Sequence, residues 1–441
     1  MASNDKSVSR RQLLGWAAGA MATSALADVA LAQPKDTPIN TKARIVIIGA
    51  GAAGTAIANR LAMRLANASI IVIDGRRDHI YQPGLSLVAA GLRPASYVVT
   101  RTRDWLSSGI TLIEEPAMAI DPIAKTVWTA GRTAISYDFL IVASGLVLDH
   151  DAIEGFSLDL VGSNGIGALY AGPDYAARTW AAAAQFAAKG GEGIFTRPPT
   201  EMKCAGAPLK HTFLIDDIAS RGVGSGRYRI TYAATADSLF SVPIVSEKVR
   251  MLFDQRGIKT AYSHVLKSID PGRRIATFAT PSGLQERPYD YLHVIPPQRA
   301  PALIRQAGLS WENKWSDQGW VEVDQATLRH RRFRDVFAIG DVAGVPKGKT
   351  AASVKWQVPV VEDHLIADIQ GRESELAYDG YTSCPLMTRV GRAMLVEFDY
   401  QNNLAPSFPG VIAPLEELWI SWLMKEVALR ATYYAMLRGK A

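Results

Sequence analysis

At 441 residues the chain is long enough for two or three domains with substantial cores, and 48% hydrophobic against 20% charged residues fits a globular protein with a slightly apolar surface. The net charge of +6 is dispersed, with no arginine-rich stripe carrying interleaved aromatics; this argues against nucleic-acid binding and for a small anionic substrate or an anionic membrane surface. The seven histidines have no metal-ligand spacing, so no metal site is expected.

Residues 1–32 read as a targeting segment. Ser9-Arg10-Arg11-Gln12-Leu13-Leu14 is a twin-arginine pattern, followed by a weakly apolar run over 15–26 and the small-residue site Ala30-Leu31-Ala32. Twin-arginine export carries folded proteins, which suits a chain that acquires a cofactor in the cytoplasm. The expected home is the periplasmic face of a bacterial inner membrane.

Next, a buried parallel strand over 44–48 runs into Gly49-x-Gly51-x-x-Gly54 and an alanine-rich helix to about residue 66, and a second strand over 69–73 ends in Asp74. Strand, glycine turn, helix, strand and terminal acid in this order predict a dinucleotide site. The glycines let the backbone approach a pyrophosphate at the helix N-terminus, and Asp74 can accept the hydroxyls of an adenosine ribose. Further strands lead into Ser144-Gly145 and into Gly340-Asp341. These three pieces resemble the set used by flavoproteins of the two-dinucleotide-binding-domain superfamily, which implies FAD rather than NAD, with Asp341 on the ribityl chain.

Such flavoproteins insert a second nucleotide-binding domain, whose first strand here is expected over 193–196. No glycine fingerprint follows it. Instead comes Pro198-Pro199-Thr200-Glu201-Met202-Lys203-Cys204, then Pro208 at the start of a helix over 209–220. Cys204 thus precedes a helix N-terminus, where the unpaired N–H groups, Lys203 and Lys210 favour a thiolate. The slot that would hold nicotinamide holds a cysteine, so electrons are expected to reach the flavin through sulfur. The second cysteine, Cys384, lies in Tyr381-Thr382-Ser383-Cys384-Pro385; a structural disulfide with Cys204 is the alternative.

Beyond Asp341, Lys349-Thr350-Ala351-Ala352 opens a helix with small residues, which would let backbone approach the flavin's pyrimidine edge. Over 415–437 an apolar stretch is interrupted by Lys425, Glu426 and Arg430, which do not share one helical face. A membrane span is not expected; two short helices lying in one leaflet are.

On these residues the sequence resembles sulfide:quinone oxidoreductases of the mitochondrial-like, two-cysteine type. The matching pieces include His79-x-Tyr81-Gln82-Pro83-Gly84, Lys203-Cys204-Ala205-Gly206-Ala207-Pro208, Leu292-His293-Val294, Lys349-Thr350-Ala351-Ala352 and Tyr378-Asp379-Gly380-Tyr381-Thr382-Ser383-Cys384-Pro385. The resemblance implies oxidation of hydrogen sulfide at two bridged cysteines, which leaves a persulfide on Cys384. The thiolate of Cys204 then passes two electrons through FAD to ubiquinone or a related quinone. It also implies charged groups at Glu154, Lys210 and Lys425 that handle protons or substrate anions, and a sulfur acceptor such as sulfite or a small thiol.

The expected architecture is α/β, with two Rossmann-like dinucleotide-binding domains of the disulfide-reductase type and a C-terminal membrane-associating region. Residues 43–160 and 291–370 would bind FAD through Gly49, Gly51, Gly54, Asp74, Gln82, Gly145, Gly340, Asp341, Lys349, Thr350 and Ala351. Residues 161–290 would form the second domain with Cys204, and 371–441 a region with Cys384 and the apolar helices. A second copy of the chain is among the expected partners, as a homo-oligomer. Two alternatives accompany this reading: the flavoprotein subunit of a periplasmic flavocytochrome c sulfide dehydrogenase, passing electrons to haem, and a flavoprotein with an inert structural disulfide. A type-II NADH dehydrogenase is opposed by the missing second glycine fingerprint.

Overall fold

A computed structural model describes residues 37–222 and 224–441; the twin-arginine segment expected over 1–32 lies outside the described residues. In chain order the main elements are β1 (Arg44–Ile48), α1 (Ala52–Arg64), β2 (Ser69–Ile73), β3 (Ile110–Ile113), β4 (Phe139–Val142), β5 (Ile166–Gly167), α2 (Pro173–Lys189) and β6 (Gly191–Thr196). There follow α3 (Ala207–Arg221), β7 (Tyr228–Ala233), α4 (Pro243–Arg256), β8 (Lys259–Ala261), β9 (Tyr291–His293), β10 (Val336–Ala338), α5 (Ala351–Gln370), β11 (Thr382–Arg389) and β12 (Arg392–Phe398).

The fold is mixed α/β, built on two parallel five-stranded sheets. The first has the order β10-β4-β1-β2-β3 and the second β5-β9-β6-β7-β8. In each, the strand that feeds a functional loop sits centrally, with neighbours added on both sides: β1 between β4 and β2, and β6 between β9 and β7. Such switch points open a crevice at the carboxyl ends of the strands, because successive connections leave in opposite directions there. The β1 turn and the Cys204 loop therefore both leave their sheets where a crevice is expected.

Burial explains the strand pattern. Ile45, Val46 and Ile47 in β1 and Leu140, Ile141 and Val142 in β4 are fully buried, as parallel strands covered on both faces require. The second core gathers Phe195, Phe213, Phe253 and Tyr291, and the β11–β12 hairpin joins it through Leu386, Met394 and Val396. That hairpin packs on α3, and truncating the fully buried Leu386 to alanine would cost about 2–5 kcal/mol. Where the chain leaves the first sheet and returns to it, Val147–Leu148 pairs antiparallel with Gln298–Arg299.

The C-terminal stretch departs from the expected two short helices. Trp419–Leu423 is α-helical, Met424–Ala428 forms a π turn and Leu429–Leu437 resumes the α-helix, so the segment is one continuous helix. The interrupting charges do not break it because each finds a partner. The Lys425 ammonium donates to the Pro83 carbonyl at 2.6 Å, Glu426 pairs with Arg93, and the Arg430 guanidinium lies 4.1 Å from the Tyr97 ring centroid. Among the described residues no helix is long and apolar enough to cross a membrane.

Five histidines are buried, and in four of them, His79, His211, His293 and His330, burial disfavours the charged ring. Burial pushes His79 and His330 down to about 4 and His211 to about 3, and holds His293 well below its usual range. The folded chain therefore binds fewer protons than the unfolded one below the ordinary imidazole value of about 6.5. Stability is full above that value and falls as pH drops below it, by up to about 1.4 kcal/mol per pH unit for each histidine. Thermal unfolding at about pH 7 and about pH 5 should show a marked drop in midpoint, reduced in His293→Leu.

Candidate functional site

A cleft runs from the β1 turn to Cys204, with Ser383 and Pro385 on either side of the second cysteine also on its wall. Its wall includes Gly51, Gln82, Gly145, Gly340, Asp341, Lys349, Thr350 and Ala351 at one part, and Cys204, Lys210 and Lys425 at another. Gly49 and Gly54 lie behind the wall and shape it. Gly49 has φ +101°, and a side chain on Gly54 would overlap the Gly49 carbonyl, so α1 approaches the turn as closely as backbone allows. The Gly51 position is open: the nearest atom to a Cβ there would be Arg76 Nη2 at 3.9 Å.

These residues fit a dinucleotide. Gln82 Oε1 and Ser144 Oγ are buried on the cleft wall without hydrogen-bond partners within the protein, as expected of groups that await a polar ligand. Thr350 caps α5, its hydroxyl accepting from the Ser353 N–H at 3.1 Å, so the positive end of a 20-residue helix faces the cleft. Lys349 donates to the carbonyls of Asp341 at 2.6 Å and Ala343 at 3.0 Å, and burial lowers it to about 8.

Besides Gly49 and Gly54, three predicted residues are not on the wall: Asp74, Glu154 and Cys384. The Asp74 carboxylate accepts from the Ala50 N–H at 2.6 Å and is paired with Arg76, which is itself on the wall. Glu154 is exposed and takes part in a backbone bridge with Ser268; the structure does not bring it to the sulfurs. Replacing it by glutamine should change kcat/KM by less than about twofold, as for surface sites away from the chemistry; steady-state kinetics checks this.

Cys204 sits where the loop after β6 turns into α3, and it is held on several sides. Its N–H donates to the Lys349 carbonyl at 2.8 Å, while its own carbonyl accepts from the Ala207 N–H at 2.7 Å and from the Tyr170 hydroxyl at 3.0 Å. Its φ of 46° lies in the left-handed region, a conformation costing of order 1–2 kcal/mol for a non-glycine residue and typical of functional positions. Cys384 arrives from β11, and Gly206 makes room for it: a Cβ on Gly206 would lie 2.5 Å from Cys384 Sγ. The α3 N-terminus, which in a second dinucleotide site would face a pyrophosphate, is thus covered by sulfur.

Both cysteines are free thiols within hydrogen-bond reach of one another. The hydrogen bond from Cys384 and the charge of Lys210 hold Cys204 well below the ordinary thiol range despite burial, whereas the same pairing and burial push Cys384 up. The Lys210 ammonium is 3.4 Å from Cys204 Sγ; burial disfavours its charge, but the thiolate outweighs this and keeps it protonated. Lys425, also buried, is lowered by burial and by Lys210 to about 7, so it can exchange a proton near neutrality. The arrangement offers a stabilised thiolate, a partner thiol hydrogen-bonded to it and a proton-exchanging amine.

Residues 43–167 match the family model described as pyridine nucleotide-disulphide oxidoreductase. The chain is 31% identical over 403 residues to the mitochondrial sulfide:quinone oxidoreductase of Mus musculus, covering 90% of this chain and 86% of that protein. The chain belongs to the sulfide:quinone oxidoreductase family. The Dictyostelium discoideum enzyme of the same name is 31% identical with the same coverage. The crystal structure of the Aquifex aeolicus sulfide:quinone oxidoreductase has a similar fold, with TM-score 0.75, 20% identity and coverage of 90% of this chain and 92% of that one. Family membership implies a flavin cofactor, and the dinucleotide cleft is where these sulfide:quinone oxidoreductase residues would take it.

Sequence reasoning missed several cleft residues. Tyr170 and Tyr433 carry no motif; Tyr433 enters the wall from the C-terminal helix, its hydroxyl 2.7 Å from His79 Nε2. Arg76 follows Asp74 by two positions, and only its turn geometry brings it over Gly51.

Proposed function

We propose that this chain oxidises hydrogen sulfide at Cys204 and Cys384 and delivers the two electrons to a quinone through FAD. The observation that carries the reading is the placement of Cys204 in the wall of a dinucleotide cleft, its Sγ 3.4 Å from the Lys210 ammonium and Cys384 packed against the same turn at Gly206. FAD would be held by the backbone at Gly51, Gly145 and Gly340, by Gln82, and by the Lys349–Ala351 turn; when bound, it accepts two electrons from the cysteine pair and yields them to quinone.

The chain's own groups account for the sulfur chemistry. In the bridged form, hydrosulfide attacks Cys384 Sγ; an S–S bond to the incoming sulfur forms, the bridge breaks and Cys204 leaves as thiolate. Lys210 stabilises that leaving group, which lowers the barrier to exchange. Lys425 takes up the substrate proton and returns it near neutral pH. An external nucleophile, sulfite or a small thiol, then removes the outer sulfur from Cys384, and two-electron oxidation closes the bridge again.

Exposed Trp419 and Val427 on the C-terminal helix, with Val411 and Phe408 before it, support a membrane surface as the source of quinone. The twin-arginine motif supports periplasmic placement, and a homo-oligomer is compatible with this reading. Anaerobic assays with sulfide and a short-chain ubiquinone, run beside cytochrome c, test the acceptor. Quinone reduction with cytochrome c inert is expected; the reverse favours a haem partner.

A further inference from the structure

We propose that Arg76, rather than Asp74, is the charged residue this chain presents to the cofactor at the end of β2, and that it recognises the pyrophosphate. The inference rests on the FAD reading above. Asp74 is already saturated: Oδ2 accepts from the Ala50 N–H at 2.6 Å and from Arg76 Nη2 at 2.9 Å, and Oδ1 accepts from the Arg76 backbone N–H at 2.8 Å and from Nε at 3.1 Å. A carboxylate offers about four lone-pair sites, so none is left for ribose hydroxyls.

Arg76 is placed differently. It lines the cleft, its side chain is 57% exposed, and Nη2 lies 3.9 Å from where a Cβ on Gly51 would sit. Two of the five guanidinium N–H donors serve Asp74, which leaves three beside the glycine turn where the α1 N-terminus favours phosphate. The bidentate pair fixes the guanidinium plane, so little rotamer freedom is lost when an anion binds. Asp74 then acts as a positioning residue that aims Arg76 and ties it to the Ala50 N–H.

The test uses the full-length chain stripped of flavin. Binding of FAD is followed by flavin fluorescence, and ADP and adenosine are titrated as competitors. Arg76→Ala should weaken FAD and ADP by about tenfold to a hundredfold, the loss of one charge-assisted contact, and leave adenosine unchanged, while Arg76→Lys recovers part of the loss. The unfolding temperature of the stripped variant, unchanged from the parent, separates this from misfolding. Equal FAD and ADP affinity in Arg76→Ala, or an equal loss for adenosine, overturns the proposal while the FAD reading stands. A parent chain that binds FMN or no flavin overturns both.

Discussion

Serine in place of Cys204 should reduce sulfide-dependent quinone reduction at least about a thousandfold, with flavin content unchanged. The substitution is nearly isosteric, and the backbone that holds position 204 is fastened through Lys349, Ala207 and Tyr170, so the loop should persist. What is lost is the atom that can leave as a stable anion and re-form a bond to Cys384; a serine hydroxyl does neither. Cys384→Ser should fall equally far, and the double variant no further, because the two sulfurs act as one unit. Steady-state kinetics with flavin absorbance as a loading control checks this. A single serine variant that keeps a tenth of the activity would mean the sulfurs are a structural pair.

Methionine in place of Lys210 should lower activity about tenfold to a hundredfold near neutral pH and restore much of it in alkali. The ammonium is 3.4 Å from Cys204 Sγ, and a charge-assisted hydrogen bond is worth about 1.5–3 kcal/mol, or about one to two pH units on the thiol. Removing it raises the pH at which Cys204 ionises, so the acid limb of the rate profile shifts to higher pH. Alkylation of the reduced protein by iodoacetamide, read at Cys204 by mass spectrometry across pH, should shift in the same direction. An unshifted profile would assign Lys210 to packing alone.

Legibility in the sequence followed the range of the interaction. β1, α1 and β2 were readable because parallel strands buried on both faces are continuous apolar runs, and because glycine alone fits the Gly49–Gly54 contact. The placement of Cys204 ahead of α3 followed from Pro208. That Cys384 meets Cys204 was open to inference from their being the chain's two cysteines and from the family resemblance, but not from local pattern, since it depends on the β11–β12 hairpin docking on α3 with Cys384 and Leu386 on one face. Glu154 shows the converse: a charge in a familiar position says nothing about which way the chain turns it. The C-terminal helix was misread because Lys425 and Glu426 look like interruptions until Pro83 and Arg93, more than 300 residues away, supply their partners.

The central claim is that sulfide electrons enter through the cysteine pair and leave to quinone. Anaerobic stopped-flow absorbance of the flavin-loaded protein tests it most directly, with sulfide added first and a short-chain quinone second. The expected record is rapid bleaching of the flavin band by sulfide, none by NADH, and return of the oxidised spectrum on adding quinone. A flavin that stays oxidised with sulfide, or that NADH reduces readily, would contradict the account.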